Sequence, residues 1–278
     1  MNKFHTLRLN GRLLSLENPV VMAILNITPD SFYDKSRVEN NLLKRCENML
    51  SAGATLLDIG GQSTRPGAGR VDADEELKRV IPAIHQISKE FPDALISVDT
   101  FYSSVAKAAV ENGACMINDI SAGSIDPEMF GVVASLHVPY VLMHMQGTPE
   151  TMQINPSYEQ VISEITYFFS ERIHQLHLLG VRDIILDPGF GFGKSLSDNY
   201  RILHHFAEFG ILDKPVLAGL SRKGMIQKVI HADAENALNA TTAANMIALM
   251  HGARILRVHD VKEAAETIAI FNAMQGAQ

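Results

Sequence analysis

Short apolar runs alternate along this chain with longer amphipathic stretches. Eight runs are rich in Val, Ile and Leu, as expected of strands buried on both faces, and they lie at residues 20–25, 55–59, 94–98, 115–119, 139–143, 183–186, 215–219 and 254–258. The stretches between them place apolar residues at helical spacing, and we expect helices at 39–52, 74–91, 103–112, 157–179, 198–209, 236–250 and 261–274. Eight such strand–helix units predict an α/β fold, the (β/α)8 TIM barrel, because a doubly wound sheet usually ends at about five or six strands.

The N-terminal residues follow a different pattern. Apolar and polar residues alternate through residues 4–16 on both sides of Asn10-Gly11, a dipeptide typical of a two-residue hairpin turn. We therefore expect a short hairpin within residues 1–17 that covers one end of the barrel. No linker or change in composition interrupts the rest, so residues 1–278 are predicted to form a single domain.

Polar side chains follow every predicted strand. In a TIM barrel the active site forms at the carboxyl ends of the strands, so these positions are candidates for function. In strand order they are Asn26, Asp58, Asp99, Asn118, His144, Asp187, Lys223 and Arg257. Helix capping explains a single Asp or Asn after a strand, but it needs no Lys, Arg or His. The set therefore predicts a binding site at this end of the barrel.

Four of these residues suit a flat, nitrogen-rich ring. Asp99, Asn118 and Asp187 follow the third, fourth and sixth strands, and Lys223 follows the seventh. Carboxylates accept paired N–H donors well, so the acids match the amino-amide edge of a heterocycle, and Lys223 matches its carbonyl or ring nitrogen. The alternative is an ion-pair network that only stabilises the barrel mouth.

A second group of residues suits a diphosphate. Arg257 and His259 follow the eighth strand, Asn26 follows the first, and Arg65 belongs to the second loop. Arginine binds phosphate oxygens bidentately, and barrels often hold phosphate near the eighth strand. The amide oxygen of Asn26 is a hard ligand that Mg²⁺ accepts together with phosphate and water. The two groups together predict a diphosphate beside a heterocycle.

Three loops at the same end contain glycine or proline. Residues 28–34 and 60–70 are long connections, which is typical of lids that exclude water, although they also suit ordinary connectors. In the third loop, 187–194, three glycines at alternate positions precede Lys194, which indicates either a ligand site or a tight strand-to-helix turn. Pro188 occupies the position of the opening glycine of a Walker A motif, so a P-loop is not predicted.

Charge and cysteine content exclude several classes of function. The formal net charge is −7, whereas nucleic acids and anionic membranes favour basic surfaces. The two cysteines, Cys46 and Cys115, have neither the number nor the spacing of a disulfide framework or a zinc site. No apolar run approaches the ~18 residues of a membrane span, and the N-terminal residues show no signal-peptide pattern. We therefore expect a cytoplasmic protein that binds neither nucleic acid nor membrane.

Eight motifs, in order along the chain, resemble those of the dihydropteroate synthase family. They are Asn26-Ile-Thr-Pro-Asp-Ser-Phe32, Gly60-Gly-Gln-Ser-Thr-Arg-Pro-Gly67, Ser97-Val-Asp-Thr100, Ile117-Asn-Asp119, Leu142-Met-His-Met-Gln-Gly147, Leu186-Asp-Pro-Gly-Phe-Gly-Phe-Gly-Lys194, Ser221-Arg-Lys223 and Arg257-Val-His-Asp260. The resemblance implies condensation of 6-hydroxymethyl-7,8-dihydropterin diphosphate with p-aminobenzoate, which gives 7,8-dihydropteroate and diphosphate in folate synthesis. It also implies a homodimer and a sulfonamide target. The small-residue helix within 236–252 suits a dimer face, and it equally suits packing on the barrel.

The resemblance further implies a role for individual motif residues. The pterin-binding residues would be Asp99, Asn118, Met143, Asp187, Phe192 and Lys223. Diphosphate would be held by Asn26 with Mg²⁺ as its metal, Arg257 and His259. The residues around p-aminobenzoate would be Phe32, Thr64, Arg65, Pro66 and Ser221. We predict that catalysis falls to Asp99, Asp187, Lys223 and Arg257, and that diphosphate leaves before the arylamine attacks.

Two departures from the family pattern concern the loops. Gln62 stands where the family commonly has Glu, and residues 32–36 differ from the usual Ser-Asp-Gly-Gly continuation. Two alternative functions are a methyltetrahydrofolate:corrinoid methyltransferase on the same barrel and a non-catalytic pterin-binding paralogue. The methyltransferase would need neither Arg257-His259 nor the 63–66 loop, and the paralogue would show an altered anion group. The sequence therefore favours the synthase.

Overall fold

Eight buried parallel strands form the centre of the molecule, as the apolar runs predict. The computed structural model describes residues 5–27, 35–62 and 71–277. Its strands are β1 (Thr6–Leu9), β2 (Arg12–Ser15), β3 (Val20–Asn26), β4 (Leu56–Gly60), β5 (Leu95–Asp99), β6 (Met116–Asp119), β7 (Tyr140–Met143), β8 (Ile184–Asp187), β9 (Val216–Ala218) and β10 (Ala253–Val258). Strands β3 to β10 close into a barrel in which β10 pairs with β3, and β1 and β2 form a separate antiparallel pair. The predicted TIM barrel and N-terminal hairpin are confirmed.

Helices surround the barrel and connect its strands. They are α1 (Lys35–Ser51), α2 (Ala73–Glu90), α3 (Ser103–Glu111), α4 (Met129–Leu136), α5 (Val161–Leu178), α6 (Leu196–His204), α7 (Gly224–Ile230), α8 (Leu238–Met250) and α9 (Val261–Gln275), with a 3₁₀ helix at Phe206–Leu212. The sequence pattern missed α4 and α7, because elements of eight and seven residues are too short to show helical periodicity. It also joined α6 and the 3₁₀ helix into one element. Within the described ranges, no helix is long and apolar enough to cross a bilayer.

Side-chain alternation along the strands separates two regions of packing. In β3, Val21, Ala23 and Leu25 belong to the core between the barrel and the helices, whereas Met22 belongs to the core inside the barrel. Successive strand residues point to opposite faces, so every second residue lines the interior. Near the start of the strands these interior residues form an apolar cluster that includes Met22, Leu56, Met116, Val141, Ile185, Leu217 and Ile255.

The N-terminal hairpin closes this apolar end of the barrel. Asn10 and Gly11 have φ angles of 48° and 76°, the left-handed conformations that a type I′ turn requires. The turn allows Leu7, Leu9 and Leu16 to become buried against the interior cluster. The opposite end, where the strands terminate, is therefore the end left for the functional site.

Candidate active site

Polar residues line the interior of the barrel near the carboxyl ends of its strands. On five strands, the inward-facing positions beyond the apolar cluster carry Asp58, Asp99, Asn118, Asp187 and Arg257. The strand register makes Asp99 the pairing partner of Asn118. All four of the acids and amides are buried. Buried polar groups need hydrogen-bond or charge partners, so the contacts among these residues decide the character of the site.

Arg257 connects the two predicted groups of site residues. Its Nε donates to Asp58 Oδ2 at 2.6 Å, and its Nη2 donates to Asp99 Oδ2 at 2.5 Å. Asn118 Nδ2 donates to the same Asp58 oxygen at 2.9 Å. The two predicted groups therefore meet at this point, because Arg257 contacts Asp99 directly.

Asp58 is a site residue to which the sequence pattern assigned no role. It is fully buried, and its Oδ2 accepts hydrogen bonds from both Arg257 and Asn118. Its Oδ1 has no hydrogen-bond partner among the described residues. The signal that would have found it was its position, because Asp58, like Asp99, is an inward-facing acid near the end of a barrel strand. Asp58 therefore holds the side chains of Arg257 and Asn118 in place.

Burial sets the charge states of this cluster. It disfavours the charged form of Arg257, but Asp58 and Asp99 outweigh that effect and raise the pKa of Arg257 above its ordinary value. Burial raises the pKa of Asp99 to about 7, and the charge of Arg257 acts against that rise. Arg257 therefore remains a cation. Burial thus disfavours the ionised form of Asp99, and a ligand that donates hydrogen bonds to that form would favour it.

Asp187 and Lys223 face the same point of the barrel mouth. Asp187 Oδ2 and Lys223 Nζ each lie 3.9 Å from the position that a Cβ of Gly219 would occupy. The Gly189 N–H donates to Asp187 Oδ1 at 2.7 Å, and the Lys223 ammonium donates to the Phe190 carbonyl oxygen. Burial raises the pKa of Asp187 and lowers the pKa of Lys223 to about 8, and their mutual attraction opposes both shifts. An acceptor and a donor thus lie together, as the edge of an amino-amide ring requires.

A small apolar cluster lines the mouth beside these charges. Met143 packs there with Phe101 and Ile120, and Phe192 packs against them. Lys223 Nζ lies 4.7 Å from the centroid of the Phe192 ring, which is a cation–π contact. The structure therefore brings together Met143 and Phe192, the two residues expected to contact the faces of a flat ring. Phe101 and Ile120 were not predicted, because they follow the strand ends in loops without a regular pattern.

Asn26 lies close to the Arg257 cluster. It is the last residue of β3, and it pairs with Gly60 at the end of β4. The position of a Cβ at Gly60 would be 3.4 Å from Asn26 Oδ1 and 3.7 Å from Asp99 Oδ2. Because glycine has no side chain, a space remains at Gly60, and Asn26 Oδ1 and Asp99 Oδ2 both border it.

Two pairs of residues join the loops after β9 and β10. The His259 N–H donates to Ser221 Oγ at 3.2 Å, so these two predicted site residues lie at the same rim. Arg222, which has a left-handed φ of 53°, forms an ion pair with Asp260 at 2.8 Å and donates to the carbonyls of residues 234 and 235. Arg222 and Asp260 therefore hold the two loops together.

Not every polar residue at a strand end joins the site. Asp119 accepts hydrogen bonds from Ser121, Gly123 and the hydroxyl of Tyr140, so it stabilises the turn after β6. His144 contacts Lys194 instead of the acids described above. The predicted residues that lie outside the described residues are Phe32, Thr64, Arg65 and Pro66.

Comparison with known proteins shows the family of this chain. Residues 22–259 match the family model of the pterin binding enzymes. The dihydropteroate synthase of Escherichia coli (strain K12) is 44% identical over 273 residues, which cover 96% of this chain and 96% of that protein. The chain belongs to the dihydropteroate synthase family.

Two solved structures of dihydropteroate synthases share this fold. The Yersinia pestis enzyme, in a complex with a sulfonamide drug, matches with a TM-score of 0.91 at 40% identity, over 98% of this chain and 100% of that chain. The Xanthomonas albilineans enzyme with 4-aminobenzoic acid matches with a TM-score of 0.90 at 41% identity, over 98% and 99% of the two chains. The dihydropteroate synthase fold thus extends along nearly the whole of this chain.

In this member of the dihydropteroate synthase family, Gln62 contacts a buried acid. Gln62 Nε2 donates at 3.0 Å to Oε2 of Glu76, a fully buried residue in the first turn of α2. Burial raises the pKa of Glu76 to about 8, and the charge of Asp99 adds to the rise. A Glu at position 62, which the family pattern commonly has, would place two carboxyl groups in contact. Gln62 instead supplies a neutral donor to the buried acid.

Replacing Glu76 with Gln should change how stability depends on pH. The ordinary pKa of this carboxyl is 4.5, so the folded protein holds a proton that the unfolded chain loses between pH 4.5 and about 8. The free energy of unfolding of the wild type therefore falls as the pH rises through this window. The Glu76→Gln variant lacks this fall. Its stability relative to the wild type should increase from pH 4.5 to 8 in urea unfolding measurements.

The control for this experiment is Asp74→Asn, which removes an exposed acid from the same turn of α2. It should show no comparable gain across the pH range. A constant difference in stability between wild type and Glu76→Gln at every pH would contradict the raised pKa of Glu76.

Proposed function

We propose that this chain condenses 6-hydroxymethyl-7,8-dihydropterin diphosphate with p-aminobenzoate to give 7,8-dihydropteroate and diphosphate in folate synthesis. One observation carries the proposal. The guanidinium of Arg257 contacts Asp58 and Asp99 at the barrel mouth that also holds Asp187 and Lys223. The chain that carries this cluster matches dihydropteroate synthases along its length. The acids suit the N–H groups of a pterin, and the guanidinium suits a diphosphate.

The pterin ring lies between the charged residues and the apolar cluster. The pterin-binding residues are Asp99, Asn118, Met143, Asp187, Phe192 and Lys223. The carboxylates accept the ring's N–H groups, and Lys223 donates to its carbonyl or ring nitrogen. Met143 and Phe192 contact the faces of the ring, where burial of aromatic surface favours binding.

The diphosphate binds beside the pterin, on Asn26, Arg257 and His259. Arg257 already donates from Nε and Nη2 to Asp58 and Asp99, and a guanidinium has further N–H donors that suit phosphate oxygens. Because Asp58 fixes the guanidinium, little reorganisation is needed when negative charge develops beside it.

Mg²⁺ suits this site through the amide oxygen of Asn26. Asn26 Oδ1 and Asp99 Oδ2 border the same space over Gly60, and Mg²⁺ binds a few protein oxygens together with waters and substrate phosphates. Among the described residues there is no group of three or more His, Cys, Asp or Glu that could hold a metal, so the substrate's own oxygens would complete the site. The bound metal would supply charge stabilisation to the diphosphate.

We assign the p-aminobenzoate site to residues of which only Ser221 lies in the part of the chain that the structure describes. Its residues are Phe32, Thr64, Arg65, Pro66 and Ser221. Ser221 is buried and accepts a hydrogen bond from the His259 N–H, which places it next to the diphosphate residues. We propose that this chain binds a sulfonamide drug and 4-aminobenzoic acid, the ligands described with the Yersinia and Xanthomonas enzymes.

The reaction proceeds by departure of diphosphate before attack by the arylamine. The bond between the pterin methylene carbon and the diphosphate oxygen breaks, and both electrons leave with the oxygen. Asp99 and Asp187 stabilise the resulting methylene cation, and Arg257 with His259 stabilises the departing anion. The amine nitrogen then forms the new C–N bond and releases a proton. The catalysis is electrostatic, and no covalent bond to the enzyme forms.

Replacing Asp187 with Asn should weaken pterin binding. The substitution keeps the shape of the side chain but removes its charge, and charge-assisted hydrogen bonds contribute about 1.5 to 3 kcal/mol. The dissociation constant for 6-hydroxymethylpterin should therefore rise about tenfold or more in titration calorimetry. The control is Asp183→Asn, at the other end of β8, where the carboxylate accepts the Arg8 N–H at 3.0 Å. Equal affinities in wild type and Asp187→Asn would remove Asp187 from the site.

The proposed order of steps predicts an order of binding. Free enzyme should bind p-aminobenzoate only weakly, and the affinity should rise after pterin, diphosphate and Mg²⁺ have been added, because the arylamine meets a site that diphosphate and pterin complete. Chelation of Mg²⁺ with EDTA should weaken diphosphate binding in the same titration. Tight binding of p-aminobenzoate to the free enzyme would contradict this order.

We also propose that the protein forms a homodimer through α8 and α9. These neighbouring helices expose Ile247, Met250, Ile270 and Met274, with 65% of Ile270 exposed. Large exposed apolar side chains in one region favour association. Ile270→Glu should therefore shift the protein towards the monomer in sedimentation velocity measurements. The equivalent change at Leu178, an exposed residue of α5, should leave the distribution unchanged, and a wild type that sediments as a monomer would contradict the proposal.

A further inference from the structure

Lys194 is a buried cation at the barrel mouth for which the reaction described above provides no role. It is 4% exposed, and its Nζ donates to the Phe192 carbonyl at 2.9 Å and to the His144 carbonyl at 3.2 Å. The same nitrogen lies 3.1 Å from His144 Nδ1. Among the described residues, no ion pair includes Lys194. A buried ammonium without a carboxylate in contact is costly, so the position calls for a reason other than stability.

His144 acts as an acceptor for this ammonium. A protonated Lys194 has only N–H donors, so beside it His144 Nδ1 must be the acceptor and the imidazole must be neutral. Burial lowers the pKa of His144 to about 2, and the charge of Lys194 adds to the shift. The ring packs edge-on against Phe168 and lies near Tyr158, whose hydroxyl donates to the Gly193 carbonyl at 2.7 Å. His144 is therefore held in one orientation.

The Lys194 contact joins the loops that follow β7 and β8. A Cβ at Gly189 would overlap the carbonyl oxygen of His144, and one at Gly193 would overlap the carbonyl oxygen of Gln146. Both glycines have left-handed φ angles, of 68° and 62°, so the backbones approach more closely than other residues would allow. Lys194 donates to one carbonyl from each loop, and it thereby holds the two backbones at a set separation.

These two loops carry the residues that contact the faces of the pterin in the proposed function. Met143 directly precedes His144, and both Met143 and Phe192 belong to the apolar cluster at the mouth. We propose that Lys194 is a positioning residue whose ammonium, held by His144, fixes Phe192 relative to Met143 and so sets the width of the slot that receives the pterin ring. The inference rests on the proposed function, because it assigns support for the same pterin site.

The location of Lys194 allows its positioning role to be distinguished from a general stabilising role. The diphosphate residues lie on β3, on β10 and directly after β10, whereas the hydrogen bonds of Lys194 described above go to the loops after β7 and β8. Loss of the Lys194 contact should therefore weaken binding of the ring and spare binding of the anion. A residue that only stabilised the mouth would affect both ligands alike.

The experiment measures two affinities in each of four variants of the full-length enzyme. The ligands are 6-hydroxymethylpterin, which lacks the diphosphate, and inorganic diphosphate with Mg²⁺. Lys194→Met removes the ammonium, and His144→Phe removes its ring acceptor. His144→Asn keeps an acceptor oxygen close to the place of Nδ1. Lys214→Met is the matched control, because its Nζ donates to the Arg182 carbonyl at 3.3 Å near the opposite end of the barrel.

Lys194→Met and His144→Phe should each weaken pterin binding about tenfold, with diphosphate affinity within about twofold of the wild type. His144→Asn should recover most of the pterin affinity, and Lys214→Met should match the wild type. The proposal is overturned if Lys194→Met binds pterin normally, if both ligands weaken in parallel, or if His144→Asn loses as much as His144→Phe. If Lys194→Met fails to fold, the pterin affinities of the two His144 variants test the proposal.

The two ligands also distinguish a failure of this inference from a failure of the proposed function. If the wild type binds 6-hydroxymethylpterin and forms dihydropteroate while the variants behave like it, the inference about Lys194 is wrong and the function stands. If the wild type itself neither binds pterin nor forms dihydropteroate, the proposed function fails, and the inference fails with it.

Discussion

A guanidinium held between two carboxylates inside a closed barrel is the constraint on which the rest of the site depends. Arg257 on β10 reaches Asp58 on β4 across β3, and it reaches Asp99 on β5 across β3 and β4. The contact exists because the barrel closes and makes β10 a neighbour of β3, whereas an open sheet would leave β10 at a distant edge. Within this interior each charge has little access to water, so it must be satisfied by another charge. Asp58 meets that requirement and also binds Asn118, which ties the ring-binding residues to the cation.

The inward-facing residues of the strands differ between the two ends of the barrel. Inward-facing positions near the start of the strands are apolar and pack against the N-terminal hairpin, while those near the carboxyl ends are charged. The hairpin covers the first half, so the charged half is the one that faces the opening. Outward-facing positions pack against the helices along the whole length of each strand. Stability and ligand binding therefore reside on different layers of the same strands.

Burial gives the mouth its chemical character. It raises the pKa of Asp99 to about 7 and lowers the pKa values of Lys223 and Lys194 to about 8 and about 7. Each shift means that the charged form is less favoured inside the protein than in water. In the proposed function, a ligand that donates to the acids and accepts from Lys223 would favour the charged forms, and its hydrogen bond would replace the one between Lys223 and Phe190. The site is thus organised in advance for a ligand that has both kinds of group.

The sequence by itself determined the eight strands, the hairpin and the identity of most polar residues at the mouth. These features follow from local rules, since apolar runs, the Asn10-Gly11 turn and the residues after each strand are read over a few positions. The tertiary structure decided which side chains meet. Asp119 and His144 end strands as Asp99 and Asp187 do, yet they contact a turn and Lys194 instead of the central cluster. Arg257 meets Asp58 across 199 positions of sequence and Asp99 across 158, and Lys194 reaches His144 across 50. No local pattern specifies such pairs, because they depend on the closure of the barrel and on the direction in which each side chain leaves its strand or loop.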